Sequence, residues 1–596
     1  MILQDLCALY ERLAADAQSS GIALRGYSPA PVSHALELSD DGRIVAVIPL
    51  AKLEKKKLIN PKWMLPERLV RTAGVRANYL SDNSGYALGR DSKGKPGRSA
   101  QLFQAFRELN LRILSALDDP GARAFCAFLN RWNPTQFDEP LFDDEREALL
   151  AGGNLVFMFN GTYLHERPAL RAAWEREQSD EDTALVGQCL ITGEELPIAS
   201  VHPSIKGVVG AQSTGAALVS FNSPAFKFFN KSQSLNAPVS ERAAFAYTTA
   251  LNHLLNLPKG SGGRCIRIGD ISQVFWARTH APLEEGFTWC MVEPIEPQED
   301  AADGDRDDAG TAKMMWDALL RLRAGRPLAE MNLNENVHMH LLGLAPNAAR
   351  ISVRYYYVDS FGALVQRVVQ HHRDTEIVHG PSEPEFLAPW MIMRETAAQG
   401  KADNVPQTLS GALMRAIYTG QSYPSSLYAA VMMRIRSDKT INRVRAAVIK
   451  AYLLRDSRLK DNKEWKEGIK VGLNEEWNAP AYLMGRLFAL MEKAQSDAIG
   501  SVGASIRDRY FASASATPGT VFPVLLRMAQ HHITKINGHY LDMRIQEVVG
   551  KIGVGEENPK AFPNKLDLSD QGLFMVGYYH QRQALYTKRV EEAVEA

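Results

Sequence analysis

The sequence is poor in the features that mark a secreted, membrane-spanning or metal-stapled chain. Its five cysteines, Cys7, Cys126, Cys189, Cys265 and Cys290, are odd in number, far apart and without a C-x-x-C pair. That argues against both a disulfide framework and a cysteine-rich zinc site. No apolar run approaches the roughly 18–20 residues that span a bilayer. Residues 1–15 place Asp5 and Glu11 among Ile2, Leu3, Leu6, Tyr10 and Leu13, a helical face rather than the basic end and apolar core of a signal peptide. Net charge is also lacking, with 68 basic against 68 acidic residues. The expectation is a soluble cytoplasmic protein with no membrane partner, of two to four domains at roughly 100–200 residues each.

Enzyme motifs are missing as well. There is no G-x-x-x-x-G-K-[ST] phosphate loop, no H-E-x-x-H zinc helix and no G-x-S-x-G elbow. Ser213 sits in the small-residue run Ala211-Gln212-Ser213-Thr214-Gly215, but nothing in the sequence supplies it with a base and an oxyanion site. His338 and His340 are two apart, His371 and His372 adjacent, and His532 and His539 two helical turns apart, none a good spacing for helix ligands of one ion. The expectation is therefore no catalytic residue, no metal and no cofactor. The rival readings are a metal-dependent nuclease using His531, His532 and His539 with Asp542, and a pure scaffold that touches only protein.

What is present is segregated charge. Residues 52–98 carry twelve Lys/Arg against four Asp/Glu, and residues 434–470 twelve against five, whereas acid gathers at 138–147 and 299–308. Such blocks are either local basic surfaces suited to phosphates or ordinary solvated faces. Runs 34–38 and 43–50 flank Asp40-Asp41-Gly42, and 155–159 and 162–164 flank Asn160-Gly161, so each pair predicts a hairpin. Residues 241–257 predict a helix between the start signals Pro238 and Ser240 and the stop Pro258-Lys259-Gly260, and 351–357 alternate as a strand. The Gly/Lys-rich 89–97 stretch and the acidic 294–310 stretch predict exposed loops. From about Pro406 helical windows follow one another near 407–419, 424–436, 439–456, 475–494, 497–512, 519–535, 538–550 and 570–592. The predicted fold is thus an α+β N-terminal region with mixed or antiparallel sheets over 1–404, followed by an all-α helical bundle over 405–596.

The most unusual stretch is 202–242. It joins Lys206, Lys227 and Lys231 to amide and hydroxyl side chains (Gln212, Ser213, Asn222, Asn230, Asn236), to glycines, and to Phe221, Phe226, Phe228 and Phe229. Glycines let backbone approach a ligand, lysines answer phosphates, amides pair with base edges and aromatics wedge or stack. The same letters also suit a polar loop over a phenylalanine core.

Here a resemblance enters. GVVGAQSTGAALVSFNSPAFKFF (207–229) and NAPVSERAAFAYTTALNHLL (236–255) resemble the signature of the large subunit of the type I-C CRISPR Cascade complex. So do MILQDLCALYERL (1–13), RTAGVRANYLSDNSGYALG (71–89), CLITGEELPIASVHPSIKGV (189–208), LGLAPNAARISVRYY (342–356) and QGLFMVGYYHQRQALY (571–586), in the family's order. The resemblance implies a non-catalytic subunit of a CRISPR RNA-guided complex. It would sit with the handle-capping and backbone subunits, inspect the protospacer-adjacent motif (PAM) of target duplex DNA from the minor groove, and help open the duplex for R-loop formation. It would also support recruitment of a helicase-nuclease. Within it, Lys206, Gln212, Ser213, Asn222, Lys227 and Lys231 are the expected motif contacts, and Arg71, Arg76 and Asn78, with Tyr79 and Asn83 as polar or stacking neighbours, the expected backbone contacts. The resemblance further implies a small subunit made by internal translation and lying beside the displaced single strand; Lys466-Glu467-Gly468 can be encoded as a ribosome-binding sequence, which points to a start at Val471 and a product covering 471–596, with Met484 and Met491 as alternative starts.

Overall fold

The computed structural model describes residues 1–15, 20–54, 57–67, 75–91, 96–177, 185–221, 223–257, 263–294, 296, 306–401, 404–406, 408–500, 505–552 and 562–594. Residues 92–95 of the stretch read as a Gly/Lys-rich loop (89–97), and 295 and 297–305 of the one read as an acidic loop (294–310), lie outside these residues; the ends of both stretches are helical instead, in Pro96–Leu114 and Arg306–Arg323. The chain packs into two compact units: residues 1–204 with 219–253, and residues 205–218 with 254–596.

The first unit is built on the strand Tyr27–Leu38. It pairs antiparallel with Ile44–Pro49 (His34 opposite Pro49) and with Lys62–Pro66 (Tyr27 opposite Pro66), and parallel with Asn154–Phe159 (Leu36 opposite Phe157). Both expected hairpins form. Gly42, at φ 78°, turns the first, and a Cβ there would lie 2.2 Å from the Phe128 amide nitrogen, so glycine is required twice over. In the second, Asn160 and Gly161 both hold positive φ, at 50° and 71°, as a primed two-residue turn demands. Between the two hairpins lie two helices, Pro96–Leu114 and Pro120–Arg131. Asp119 starts the second by accepting from the Ala122 amide at 3.0 Å, with Pro120 pre-set for the first turn. Phe106, Phe125 and Phe128 from these helices pack on Phe157 of the sheet.

The second unit opens with a four-stranded antiparallel meander, Cys265–Ile268, Ile271–Ala277, His338–Asn347 and Arg350–Ser360. Ser360 caps the helix Phe361–Thr375 by accepting from the Ala363 amide at 3.3 Å. Eight longer helices follow: Leu409–Thr419, Ser425–Asp438, Arg443–Leu459, Pro480–Ile499, Ile506–Ala516, Pro518–Ile536, His539–Lys551 and Leu568–Val594. The α+β region followed by a helical bundle is therefore the observed fold. One apolar core runs from the meander (Ile271, Phe275, Leu341) through Phe361 and Leu364 into the bundle (Leu413, Leu487, Phe574). Among the described residues no helix is long and apolar enough to cross a membrane.

Candidate nucleic-acid interface

The 202–236 stretch is divided between the units, so its expected contact residues fall on two separate turns. Residues 205–218 form a pinned tongue on the second unit. Ile205 bridges Ala216, Ala217 pairs with Arg350, and the Val209 amide donates to Ser272 Oγ at 3.0 Å. Gly210 holds φ 77°, and a Cβ there would come within 3.2 Å of Pro346 Cγ, so the tongue lies flat on the meander. Its tip, closed by the Gly215 amide donating to Gln212 O at 2.9 Å, exposes Gln212, Ser213 and Thr214, with Lys206 exposed at its base.

Residues 223–240 belong to the first unit. They run along the hairpin Val186–Gln188 and Glu195–Pro197 and the stretch after it, through Leu190 N to Pro238 O (2.9 Å) from the hairpin's turn and Ala199 N to Val239 O (3.0 Å). His202 is a buried anchor, its Nδ1 2.6 Å from the Tyr247 hydroxyl, and burial holds its pKa below the usual imidazole value. Cys189 belongs to the same anchor. Burial alone would raise its thiol, but hydrogen bonds from Ser240 and from the Thr192 and Ile191 amides outweigh that and bring it down to about 7. Lys227 and Lys231 are exposed around the tip, Phe228–Asn230, while Asn222 lies outside the described residues.

The expected backbone-contact set separates. Arg71 lies outside the described residues, and Arg76 is exposed, its amide donating to the Tyr86 hydroxyl at 3.3 Å. Asn78 is only 2 % exposed; its amide donates to Asp82 Oδ2 and its carbonyl accepts from Asn110 Nδ2. Tyr79 is a correction: its ring stacks on Trp174 at 4.9 Å in the core and its hydroxyl donates to Leu170 O, which leaves no face for a base. Asn83 caps the short helix Ser84–Ala87.

The basic 434–470 block divides. Arg436, Lys439, Lys460, Lys463, Lys466 and Lys470 are exposed, whereas Arg443, Arg445, Lys450 and Arg455 are buried. Arg445 bonds Glu395 and Asp438, Arg443 bonds the carbonyls of Pro384 and Glu385, and Arg455 and Arg458 converge on Asp374. Charge runs of one sign look alike in sequence whether their partners are solvent or distant acids. The signal that sequence reading missed is the reverse: residues 196–240 contain no Asp or Glu at all, while Lys206, Lys227 and Lys231 lie within them. Among the described residues, no group of three or more His, Cys, Asp or Glu side chains converges as a metal site would require.

No curated protein matches the sequence. The family model of CRISPR-associated protein (Cas_Csd1) matches residues 6–586. A match over nearly the whole chain places the protein in the Cas_Csd1 family of CRISPR-associated proteins, as a Cascade-type subunit.

Proposed function

We propose that the protein is the large subunit of a type I-C RNA-guided surveillance complex, which reads the PAM in duplex DNA and promotes opening without itself turning over substrate. The observation that carries this reading is the 45-residue run from 196 to 240, free of carboxylates, from which two exposed turns project. On the second unit, the amide of Gln212 and the hydroxyl of Ser213 can donate to and accept from base edges and Lys206 can answer a phosphate; on the first unit, Lys227 and Lys231 can each answer a phosphate. Arg76 supplies a further exposed cation, and Asn78 shapes the turn that carries it. In this division of labour the guide RNA reads the long sequence and the protein a short duplex motif. The CRISPR RNA, the handle-capping and backbone subunits, a small subunit equivalent to 471–596 and a recruited helicase-nuclease are the partners this role requires.

The test is a complex reconstituted with guide RNA and given matched duplexes that carry or lack the motif, in wild type and in a Gln212→Ala/Asn222→Ala/Lys227→Ala variant. The reading predicts that the variant assembles and binds single-stranded target but loses its preference for the motif. Unchanged preference would move the reader elsewhere, first to residues 71–83. The rival nuclease reading predicts cleavage that stops in chelator, and a pure scaffold predicts DNA binding indifferent to all of these residues.

A further inference from the structure

Two cysteines far apart in sequence meet at the start of one helix of the first unit. Cys189 stands in the turn of the hairpin Val186–Gln188 and Glu195–Pro197, where its amide donates to Glu194 O and its carbonyl accepts from the Gly193 amide, each at 2.8 Å. Its sulfur accepts from the Ser240 amide at 3.2 Å and the Ile191 amide at 3.4 Å, and the Ser240 hydroxyl and Thr192 amide are directed at it as well. A thiol sulfur is a weak acceptor, so four donors on one sulfur favour the ionised form. Ser240 Oγ in turn accepts from the Ala243 amide at 3.2 Å, which caps the helix Glu241–Asn256 and sets its positive end beside the sulfur.

Cys7 reaches the same helical turn. Its thiol donates to Ala243 O at 3.5 Å, so the residues that hold the two sulfurs, Ser240 and Ala243, are themselves hydrogen-bonded. Gln4, one turn earlier in the helix Ile2–Ala15, donates from Nε2 to Ile191 O at 3.4 Å and lays that helix against the 189–193 turn. Burial first, and then the Cys189 thiolate, push the Cys7 thiol up to about 12; the other charges that reach it, Glu11 and Arg242, are paired with each other at 3.1 Å. The pair is therefore asymmetric, with Cys189 a nucleophile at neutral pH and Cys7 a thiol held protonated beside it. A cysteine that served packing alone would not need four donors, and two thiols without further ligands do not complete a zinc site.

We propose that Cys7 and Cys189 form a reversible disulfide when the protein meets a hydroperoxide. The Cys189 thiolate attacks the peroxide, whose O–O bond breaks; the sulfur becomes a sulfenic acid and hydroxide leaves. The Cys7 sulfur then attacks the Cys189 sulfur, and its proton departs with the displaced hydroxyl as water. The two cysteines lose two electrons, the peroxide gains them, and a dithiol returns them. The first step removes the charge that opposes ionisation of Cys7, so the second follows from it. The bond ties the first helix to the 189–193 turn and shields Cys189 from irreversible sulfinic oxidation. None of this depends on the nucleic-acid role proposed above.

The test treats the full-length protein with equimolar hydrogen peroxide at a series of pH values, alkylates it in denaturant, digests it and reads the peptides by mass spectrometry. The expected product joins the Cys7 and Cys189 peptides, is two hydrogens lighter than their sum, and disappears in dithiothreitol. Cys126 and Cys290, whose thiols burial pushes up, should remain free to be alkylated. Formation should level off above about pH 8, and Ser240→Ala should move that plateau to higher pH. Cys7→Ser should accumulate Cys189 sulfenic acid, trapped by dimedone, and then sulfinic acid. In the wild type, an unreacted Cys189, or Cys189 sulfenic or sulfinic acid without the cross-link, would overturn the proposal. So would oxidation of Cys126 or Cys290 as fast as Cys189. These outcomes are read on the wild-type protein, so they decide the proposal even if a variant fails to fold.

Discussion

At the scale of single residues, the second unit is organised by one buried carboxylate. Asp374 has no exposed side-chain surface; it accepts from Arg455 Nε at 3.0 Å, from Arg458 Nη1 and Nη2 at 2.6 Å each, and from Gln370 Nε2 at 3.0 Å. Its backbone carbonyl accepts from buried Lys450, whose pKa burial pulls down to about 8. Arg455 lies 4.0 Å over the Tyr423 ring, so the guanidinium is walled in on the other side. Removing one member of such a group leaves a buried charge without its counter-ion. Asp374→Asn is therefore expected to destabilise the protein by about 3–5 kcal/mol in denaturant unfolding, and Arg455→Met added to it to recover part of that loss rather than deepen it. The neutral histidines beside this group give a pH signature. Burial holds His371 well below its usual 6.5, His372 down to about 4 and His580 down to about 3. The unfolded chain then binds protons that the folded chain refuses, so their stabilisation is whole above about pH 6.5 and is lost as pH falls towards those lowered values. Each histidine contributes a slope of up to about 1.4 kcal/mol per pH unit. His580→Gln should flatten the acid limb of the unfolding midpoint by about one proton; an unaltered slope would show that His580 is already protonated in the fold.

Between elements, Pro480–Ile499 and Leu568–Val594 cross with their backbones close together. A Cβ at Gly485 would lie 2.0 Å from Phe574 O, and one at Gly577 2.2 Å from Tyr482 O, so each helix presents a glycine to the other's backbone. Helix carbonyls cannot yield as a flexible side chain does. Gly577→Ala should cost about 1–3 kcal/mol by forcing the helices apart. Gly310→Ala, in the helix Arg306–Arg323 with nothing within 4 Å of the added Cβ, should gain about 0.5–1 kcal/mol from propensity. Thermal melts of the two variants beside wild type give opposite signs if the crossing is as tight as this. The contrast also marks what the sequence could reveal about the elements. Both hairpins, the helix Glu241–Asn256 and the eight bundle helices were legible, because turn dipeptides, caps and apolar periods are local. The parallel pairing of Tyr27–Leu38 with Asn154–Phe159 was not, since nothing local records a partner more than a hundred residues away. Nor did sequence tell glycine for a turn (Gly42) from glycine for a helix crossing (Gly485), since each is decided by a distant neighbour.

For the whole molecule, equal numbers of acids and bases leave no net charge to attract a polyanion, so the attraction that the proposed role requires must be local. The sequence revealed where polar and aromatic groups concentrate, at 202–236, but not which of the basic blocks reaches solvent. Arg445 and Arg455 were indistinguishable from Lys227 until Glu395, Asp438 and Asp374 were seen to meet them. Likewise Tyr79 and Phe229 are both aromatic letters in promising motifs, yet one is stacked on Trp174 and the other stands in water. This sorting of cations into buried and displayed makes a quantitative expectation for binding. Each phosphate neutralised on duplex DNA contributes about 0.9 to the slope of log affinity against log salt. If Lys206, Lys227 and Lys231 each meet a phosphate, replacing all three by alanine should lower the magnitude of that slope by roughly 2–3 for the reconstituted complex on motif-bearing duplex. Arg434→Ala, whose side chain is paired with Asp438 on its own helix, should leave the slope within error of wild type. Chelator should alter neither slope, because the contacts invoked are lysines and amides rather than a metal bridge. A slope unmoved by the triple substitution but lowered by Arg434→Ala would place the phosphate contacts on the helical bundle instead.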